Sequence, residues 1–184
     1  MAAVWDARVV MVDRDAAVAQ ALVDEACRKS ALVWLRPAGS DRAQAVWHAY
    51  VDGAVHVVSG GLEQDCPDLP DGTEVDVTVR SKDTGGRVLT FRGTVSTIAP
   101  DDSAWDAVVT ELHAKRLNPP DGEEQPARWA RESRVFRIEQ FGKLVEGPGH
   151  LSHRSHATEP AASPATTTGR LPFVLGRPAR RRSR

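Results

Sequence analysis

Two stretches of alternating residues joined by a short turn constrain this fold more than any other feature of the sequence. Residues 73–82 place valines at every second position, at Val75, Val77 and Val79. This is the period of a strand with one buried face. Residues 83–86 read Asp-Thr-Gly-Gly, and residues 87–98 again put apolar side chains on one face, namely Leu89, Phe91 and Val95. The pattern predicts an antiparallel hairpin.

A second hairpin is predicted earlier in the chain. Residues 43–51 and 54–59 are rich in β-forming residues, and the dipeptide Asp52-Gly53 separates them. Asp-Gly suits a type I′ turn, because both central positions of that turn need a positive φ. A further short strand is predicted over residues 31–36, where Pro37 ends the apolar run.

Helical patterns flank these strands. A helix is predicted over residues 16–29, with Asp13 or Asp15 as its cap. A second helix is predicted to start at residues 100–103 and to end at Asn118-Pro119-Pro120, because apolar residues from Trp105 onward recur at helical spacing.

The rest of the chain completes a three-part organisation. An acidic loop is expected to lead past Trp129 to a last strand over residues 134–139, and no periodicity follows. We therefore expect an N-terminal helical segment (1–30), a barrel domain (31–141) and a disordered basic tail (142–184).

The order of elements predicts a mainly β protein with flanking helices, of the α+β class. Antiparallel hairpins without alternating helices favour a small split β-barrel with a helix packed on its rim, not a doubly wound parallel sheet. The sequence contains no GxGxxG, P-loop, HExxH or GxSxG motif. The familiar chemistry of those motifs is thereby excluded.

Charge and composition narrow the class of partner. Residues 149–184 contain seven arginines and a single acidic residue, Glu159, which gives this segment a net charge of +6. Because the whole chain has a net charge of −1, the preceding residues carry a net charge of −7. An acidic body is poorly suited to follow a phosphate backbone, and nucleic acid is not expected as its partner. The remaining alternative is a protein whose basic tail binds nucleic acid or another partner. No apolar run approaches the ~20 residues of a membrane span, and we expect a cytoplasmic protein.

The first candidate site lies where the second hairpin ends. Ser59, Gly60 and Gly61 offer a hydroxyl and unobstructed backbone N–H groups, and Gln64 could bond a heterocycle. The alternative is that the glycines only turn the chain. Trp47 and His48, on the preceding strand, point to opposite faces of it and could shape the site, although an isolated tryptophan is usually part of a core.

The second candidate site surrounds the first hairpin's turn. Arg80 and Lys82 share one face of their strand, and Arg87 follows across the turn. Three cations in an acidic body could bind an anion. The alternative is a solvated hairpin tip whose charges oppose neighbouring acids.

No metal site is predicted. The two cysteines, Cys27 and Cys66, are far apart in the sequence and make neither a disulfide framework nor a thiolate zinc site. His150, His153 and His156 are spaced by three, but glycine, proline and serine surround them, which favours a solvated tail.

Taken together, these segments resemble the pyridoxamine 5′-phosphate oxidase-like family, in particular its small uncharacterised bacterial members. The resemblance covers roughly residues 28–140. It rests on the apolar run from Ala31 to Leu35, on Ala45-Val46-Trp47-His48, on the Asp52-Gly53 hairpin, on residues 57–64 and 77–83, and on the Trp105 helix with Trp129 and the strand Val135-Phe136-Arg137-Ile138.

The resemblance implies a split-barrel homodimer that binds FMN, or a deazaflavin, at the subunit interface. It also implies a flavin-dependent oxidoreductase of unknown substrate, and it assigns no catalytic acid or base. The cofactor-binding residues expected from it and from the two candidate sites are Trp47, His48, Ser59, Gly60, Gly61, Gln64, Arg80 and Lys82.

One departure from the family pattern supports an alternative. Family members carry an Arg-Lys pair after the third strand, whereas this chain has Glu63-Gln64, and Gln44 and Val46 replace positive residues of the second strand. The alternative is a non-catalytic binding or regulatory split barrel that has lost flavin. The sequence leaves open whether the protein is an enzyme.

Overall fold

The computed structural model describes the backbone of residues 7–154 and the side chains of residues 16–154. These residues contain three α-helices, seven strands and a short 3₁₀ turn. The elements are α1 (Ala7–Lys29), β1 (Leu32–Pro37), β2 (Gln44–Trp47), β3 (Ala49–Val51), β4 (Ala54–Ser59), β5 (Glu74–Arg80), β6 (Arg87–Ile98), α2 (Trp105–Lys115), α3 (Gln125–Glu132) and β7 (Arg134–Glu146).

The strands form one antiparallel sheet in the order β2-β1-β5-β6-β7-β4-β3. Its two outermost strands, β2 and β3, are separated in the chain by His48 alone. Two Cα–Cα steps span only about 7 Å, so the two edges of the sheet must meet and the sheet must curl. The predicted mainly β, antiparallel split barrel with flanking helices is confirmed.

The barrel interior is apolar. Alternate residues of the strands point inward, and Val23 and Cys27 of α1 pack against them from one end of the barrel. The predicted inward faces of the first hairpin are confirmed. Its inward side chains are fully or almost fully buried: Val75, Val77, Val79, Leu89, Phe91 and Val95.

A second apolar cluster lies outside the barrel, between the sheet and the helices. Val108, Val109 and Leu112 of α2 and Trp129 of α3 pack there with outward residues of the sheet such as Val58. Because β4 lies between the interior and this outer layer, its residues 54–58 are all buried. This explains why β4 reads as a continuous apolar run rather than an alternating one.

The second hairpin forms as predicted. Asp52 and Gly53 have φ values of 45° and 74°, and Val51 pairs with Ala54 across the turn. The positive φ at both positions is the requirement that Asp-Gly meets in a type I′ turn.

Several predicted boundaries are corrected. α1 begins at Ala7, so Asp13 and Asp15 lie within the helix rather than capping it. The continuous strand predicted over residues 43–51 is interrupted at His48, where the chain passes from one sheet edge to the other. The loop predicted before the last strand contains α3, whose buried residues include the polar Gln125 and Arg128 and therefore gave no apolar period.

The last strand is longer than predicted. β7 continues to Glu146, so the expected domain boundary at residue 141 falls inside a strand. A register shift between Thr90 and Arg92 and a φ of 67° at Gly142 mark the irregularity where the sequence had suggested an end. Most of the predicted tail lies outside the described residues. None of the helices in the described part combines membrane-spanning length with sufficient apolar character.

Candidate functional site

The outer surface of β1, β2 and β5 carries partly exposed aromatic, apolar and cationic side chains. Leu32 lies opposite Trp47, and Trp34 lies opposite Thr78. Directly paired residues of antiparallel strands point to the same side. Arg80 extends over this surface from the end of β5. We call the surface formed by these five residues the open face: Leu32, Trp34, Trp47, Thr78 and Arg80.

Arg80 rests on an aromatic ring of the open face. Its guanidinium carbon lies 4.8 Å from the ring centroid of Trp34, a cation–π arrangement. Its Nε donates a hydrogen bond to the Gly85 carbonyl at 2.6 Å, which fixes the side chain against the β5–β6 turn. Lys82 lies in that turn and is exposed. The aromatic contact leaves the charge of Arg80 near solvent.

Arg87 lies opposite Arg80 in the strand pairing, but its guanidinium is engaged within the chain. Its Nε lies 2.9 Å from a carboxylate oxygen of Glu146, and its terminal nitrogen donates to the Ser152 carbonyl at 2.6 Å. Arg87 and Glu146 are both largely buried. The guanidinium therefore ties the end of β7 and the segment after it to β6.

The turn after β4 packs against the end of α3. Gly60 and Gly61 have φ values of 88° and 63°, and a Cβ at Gly61 would lie 3.2 Å from the hydroxyl of Ser133. That hydroxyl donates to the Gly60 carbonyl at 3.1 Å. The half-buried Ser59 belongs to the same turn. Ser59, Gly60 and Gly61 thus contact the protein's own helix–strand junction rather than the open face.

The side chain of Gln64 bridges β2 and β4 by hydrogen bonds. Its Oε1 accepts a hydrogen bond from the backbone N–H of Trp47, and its Nε2 donates to the Trp47 carbonyl, both at 2.8 Å. A longer bond of 3.3 Å reaches the Val58 carbonyl. The amide therefore replaces backbone pairing at the point where β2 and β3 separate. It is engaged within the chain rather than directed at a ligand.

Glu63, next to Gln64, is the centre of a buried ionic cluster that the sequence analysis did not identify. Its carboxylate, with a fully buried side chain, accepts bonds from Arg116 at 2.7 Å and Arg128 at 2.8 Å. Gln125 donates to it at 3.2 Å, and Arg128 also binds Asp121. About fifty to sixty-five residues separate Glu63 from these donors, so no local pattern could have indicated the cluster.

The surroundings of Glu63 favour its charged form. Burial would raise the pKa of this carboxyl, but the hydrogen bonds around it, above all that from Arg128, hold the pKa below its usual value. A buried charge of this kind is stabilised only when its partners are in place.

His48 lies inside the protein and not on the open face. Its Nε2 is 3.1 Å from the Cys27 carbonyl, so the proton of the neutral ring sits on Nε2. Burial lowers the pKa of His48 to about 4, and burial likewise lowers that of His56 to about 4. His48 thus helps to seat α1 on the barrel rather than shaping a ligand site.

The two predicted groups of site residues come together only in part. Around the barrel closure, Gln64 contacts Trp47, Trp47 faces Leu32, and Arg80 lies beside Leu32 on the next strand. Trp47 on β2 and Arg80 on β5 are two strand spacings apart, which is roughly 10 Å. Trp47 and Arg80 therefore share one surface. The glycine turn packs against the junction of α3 and β7, and His48 is buried.

Two further observations bear on the site. A cleft of about 280 Å³ lies farther along the same strands, where Arg36 and Arg92 both contact Asp76. Among residues 7–154 no three histidine, cysteine or acidic side chains are grouped to hold a metal ion.

Comparison with known proteins identifies the fold. No family model matches the chain, and no curated protein matches it. Among solved structures, HutZ, a heme storage protein from Vibrio cholerae, is similar with a TM-score of 0.50 and 14% identity, over 68% of this chain and 92% of that one.

Two further structures are less similar. The conserved hypothetical protein Rv2991 from Mycobacterium tuberculosis has a TM-score of 0.48 and 16% identity, over 66% of this chain and 80% of its own. A Listeria innocua protein provisionally named pyridoxamine 5′-phosphate oxidase has a TM-score of 0.45 and 16% identity, over 68% and 97%. The structure is similar to split-barrel proteins of the pyridoxamine 5′-phosphate oxidase-like kind at low sequence identity.

Proposed function

We propose that this chain binds a flavin-type cofactor, FMN or a deazaflavin, on the open face and serves a redox reaction. The observation that carries the proposal is the guanidinium of Arg80 held 4.8 Å above the ring of Trp34, beside Leu32 and Trp47. A flat conjugated ring can stack on partly exposed indoles, and a guanidinium pairs well with a phosphate. The split-barrel fold is compatible with this function but does not by itself establish it.

Different residues would bind the ring system and the phosphate of the cofactor. Trp34 and Trp47 offer apolar surface to the ring system, while Arg80 and the exposed Lys82 attract the phosphate. Such a cofactor would supply hydride transfer, and the protein would supply binding and orientation. The donors around Ser59 and Gln64 fit the group less well, because they already serve the protein's own backbone and helices.

In this proposal a second copy of the chain covers the open face, as the resemblance implies. Leu32 is 41% exposed there, beside the two half-exposed tryptophans. A homodimer would enclose the cofactor between two such surfaces and exclude water from it. Sedimentation of the purified protein with and without cofactor checks this arrangement, since a monomer in both conditions contradicts it.

The binding experiment is a titration of the purified protein with FMN and, separately, with a deazaflavin, followed by absorbance and fluorescence. We expect saturable binding of at least one of them. Arg80→Ala should weaken it by about 5- to 100-fold, because a charge-assisted hydrogen bond is lost. Arg92→Ala is the matched control, since Arg92 is a comparably exposed arginine paired with Asp76. Equal affinity in the two variants, or no binding by the unmodified protein, contradicts the proposal.

A second candidate function is a non-catalytic split barrel that binds no flavin. The engagement of Glu63 and Gln64 favours it, because the segment where family members carry phosphate-binding cations here forms internal bonds to Arg116, Arg128 and Trp47. The same titration separates the two, since this alternative predicts no flavin signal even at excess cofactor.

A further inference from the structure

Two pairs of consecutive residues form a closed ring of contacts with Trp47. Glu63 and Gln64 are neighbours in the loop after β4, and Arg128 and Trp129 are neighbours in α3. Arg128 binds the Glu63 carboxylate at 2.8 Å, and Gln64 binds the N–H and carbonyl of Trp47 at 2.8 Å each. The last contact is between the indoles of Trp129 and Trp47, whose ring centroids lie 6.4 Å apart.

The part of this ring formed by Glu63, Arg128 and Trp129 is almost entirely removed from water, whereas Gln64 and Trp47 are partly exposed. The side chain of Glu63 is 0% exposed and that of Arg128 is 8% exposed, and Trp129 is fully buried. Hydrogen bonds between charged groups are strong in such surroundings, and losing one partner leaves the other charge buried and unpaired. The contacts therefore hold the backbone and the indole of Trp47 to one rigid body.

Trp47 is the point where this body meets the open face. Its ring contacts α3 on one side, while its partner across the strand pair is the exposed Leu32 on the other. A displacement of the loop 60–64 would move the backbone of Trp47 through Gln64, and a displacement of α3 would move its ring. Backbone hydrogen bonds among residues 60, 63 and 64 and the bond from Ser133 shape the loop, and the side chains of Glu63 and Gln64 tie it to the helices and to Trp47.

We propose that Glu63 and Gln64 are positioning residues for ligand binding on the open face. They act by fixing Trp47, and they couple the ligand to the position of α2 and α3 through Arg116 and Arg128. Neither residue touches the ligand in this arrangement. The inference rests on the proposed function for its effect on affinity, whereas its effect on Trp47 is independent of any ligand.

The test compares Glu63→Gln and Gln64→Ala with the unmodified protein. Acrylamide quenching of tryptophan fluorescence reports the accessibility of Trp47, which is isolated by subtracting the same measurement on Trp47→Phe. We expect quenching of Trp47 to increase in both variants and FMN affinity to fall about tenfold. Glu111→Gln, an exposed glutamate of α2, is the matched control and should change neither quantity.

A further variant covers the case in which Glu63→Gln does not fold. Arg116→Gln removes only the partner that is 25% exposed and leaves the Arg128 contact intact, so a smaller change of the same sign is expected. Variants with a lower melting temperature but unchanged Trp47 quenching and FMN affinity overturn the positioning role. If quenching of Trp47 increases in the variants but no form of the protein binds FMN, the result supports the positioning of Trp47 by Glu63 and Gln64. It then overturns the proposal of flavin binding instead.

Discussion

Gly93 of β6 lies directly against the neighbouring strand β7, with no room for a side chain. A Cβ at this position would lie 2.5 Å from Cγ2 of Ile138 and 3.2 Å from the Glu139 carbonyl oxygen. Ile138 is fully buried, so it has little room to retreat. Glycine is required here by space rather than by backbone conformation.

Substitution of Gly93 by alanine should therefore be destabilising. We expect Gly93→Ala to lower the free energy of unfolding by about 1–3 kcal/mol, because an extra methyl group is forced into a packed core. Urea unfolding measures the change. Gly86→Ala is the control, since its closest neighbour is the side-chain oxygen of Thr84 at 3.3 Å in an exposed turn. Equal loss in both variants would show that the contact with Ile138 is not the cause.

The candidate site was predictable only where a residue acts through its local pattern. Arg80 could be placed on a strand surface from alternation alone, whereas for Trp47 and His48 alternation predicts only that they point to opposite faces. The engagement of Gln64 with Trp47 could not be predicted, because an amide that serves a distant backbone has the same sequence signature as one that serves a ligand. The sequence shows only that Glu63 stands where family members carry a cation. Its role as the centre of a buried ionic cluster depends on Arg128, which lies in a helix of polar composition.

At the scale of single elements, the strands with turn signals were the most predictable. β6 covers residues 87–98 as expected, and the Asp52-Gly53 turn fixes the pairing of β3 with β4. α3 was missed because an eight-residue helix with a buried glutamine and arginine has no apolar stripe. The interruption at His48 was missed because it is imposed by closure of the sheet and not by any breaking residue.

The β3–β4 turn offers a test of this local control. Gly53→Ala should destabilise the protein by about 1 kcal/mol, because alanine is strained at a φ of 74°. Asp52→Asn should be nearly neutral, since asparagine tolerates the positive φ that Asp52 adopts. Thermal or urea unfolding of the two variants compares them. A larger loss in Asp52→Asn would show that side-chain contacts, rather than the turn conformation, dominate there.

At the scale of the whole molecule, two buried histidines make stability depend on pH. His48 and His56 are each 1% exposed, and the Nδ1 of each has no hydrogen-bond partner within the described residues. Burial lowers the pKa of each to about 4 from an ordinary value of 6.5. The unfolded chain therefore binds protons between pH 6.5 and 4 that the folded chain does not.

Stability should accordingly fall as the pH is lowered through this window and should be fully present above it. At pH 5 the expected loss is about 2 kcal/mol for each histidine. Urea unfolding between pH 7.5 and pH 4.5 measures it. His48→Gln keeps a donor for the Cys27 carbonyl and removes the titrating group, so its profile should be flatter. An identical profile in this variant would assign the pH dependence to other groups.

The junction at His48 has a consequence for how the molecule meets other copies of itself. A sheet usually ends in two strands with unpaired backbone groups, and such borders can recruit further chains into fibres. Here the link at His48 divides the outermost strands into pieces of four and three residues, and the Gln64 amide occupies the backbone N–H and carbonyl of Trp47 at the end of β2. The same single-residue link that bends the sheet thus also keeps each border too short to serve as a good template for aggregation.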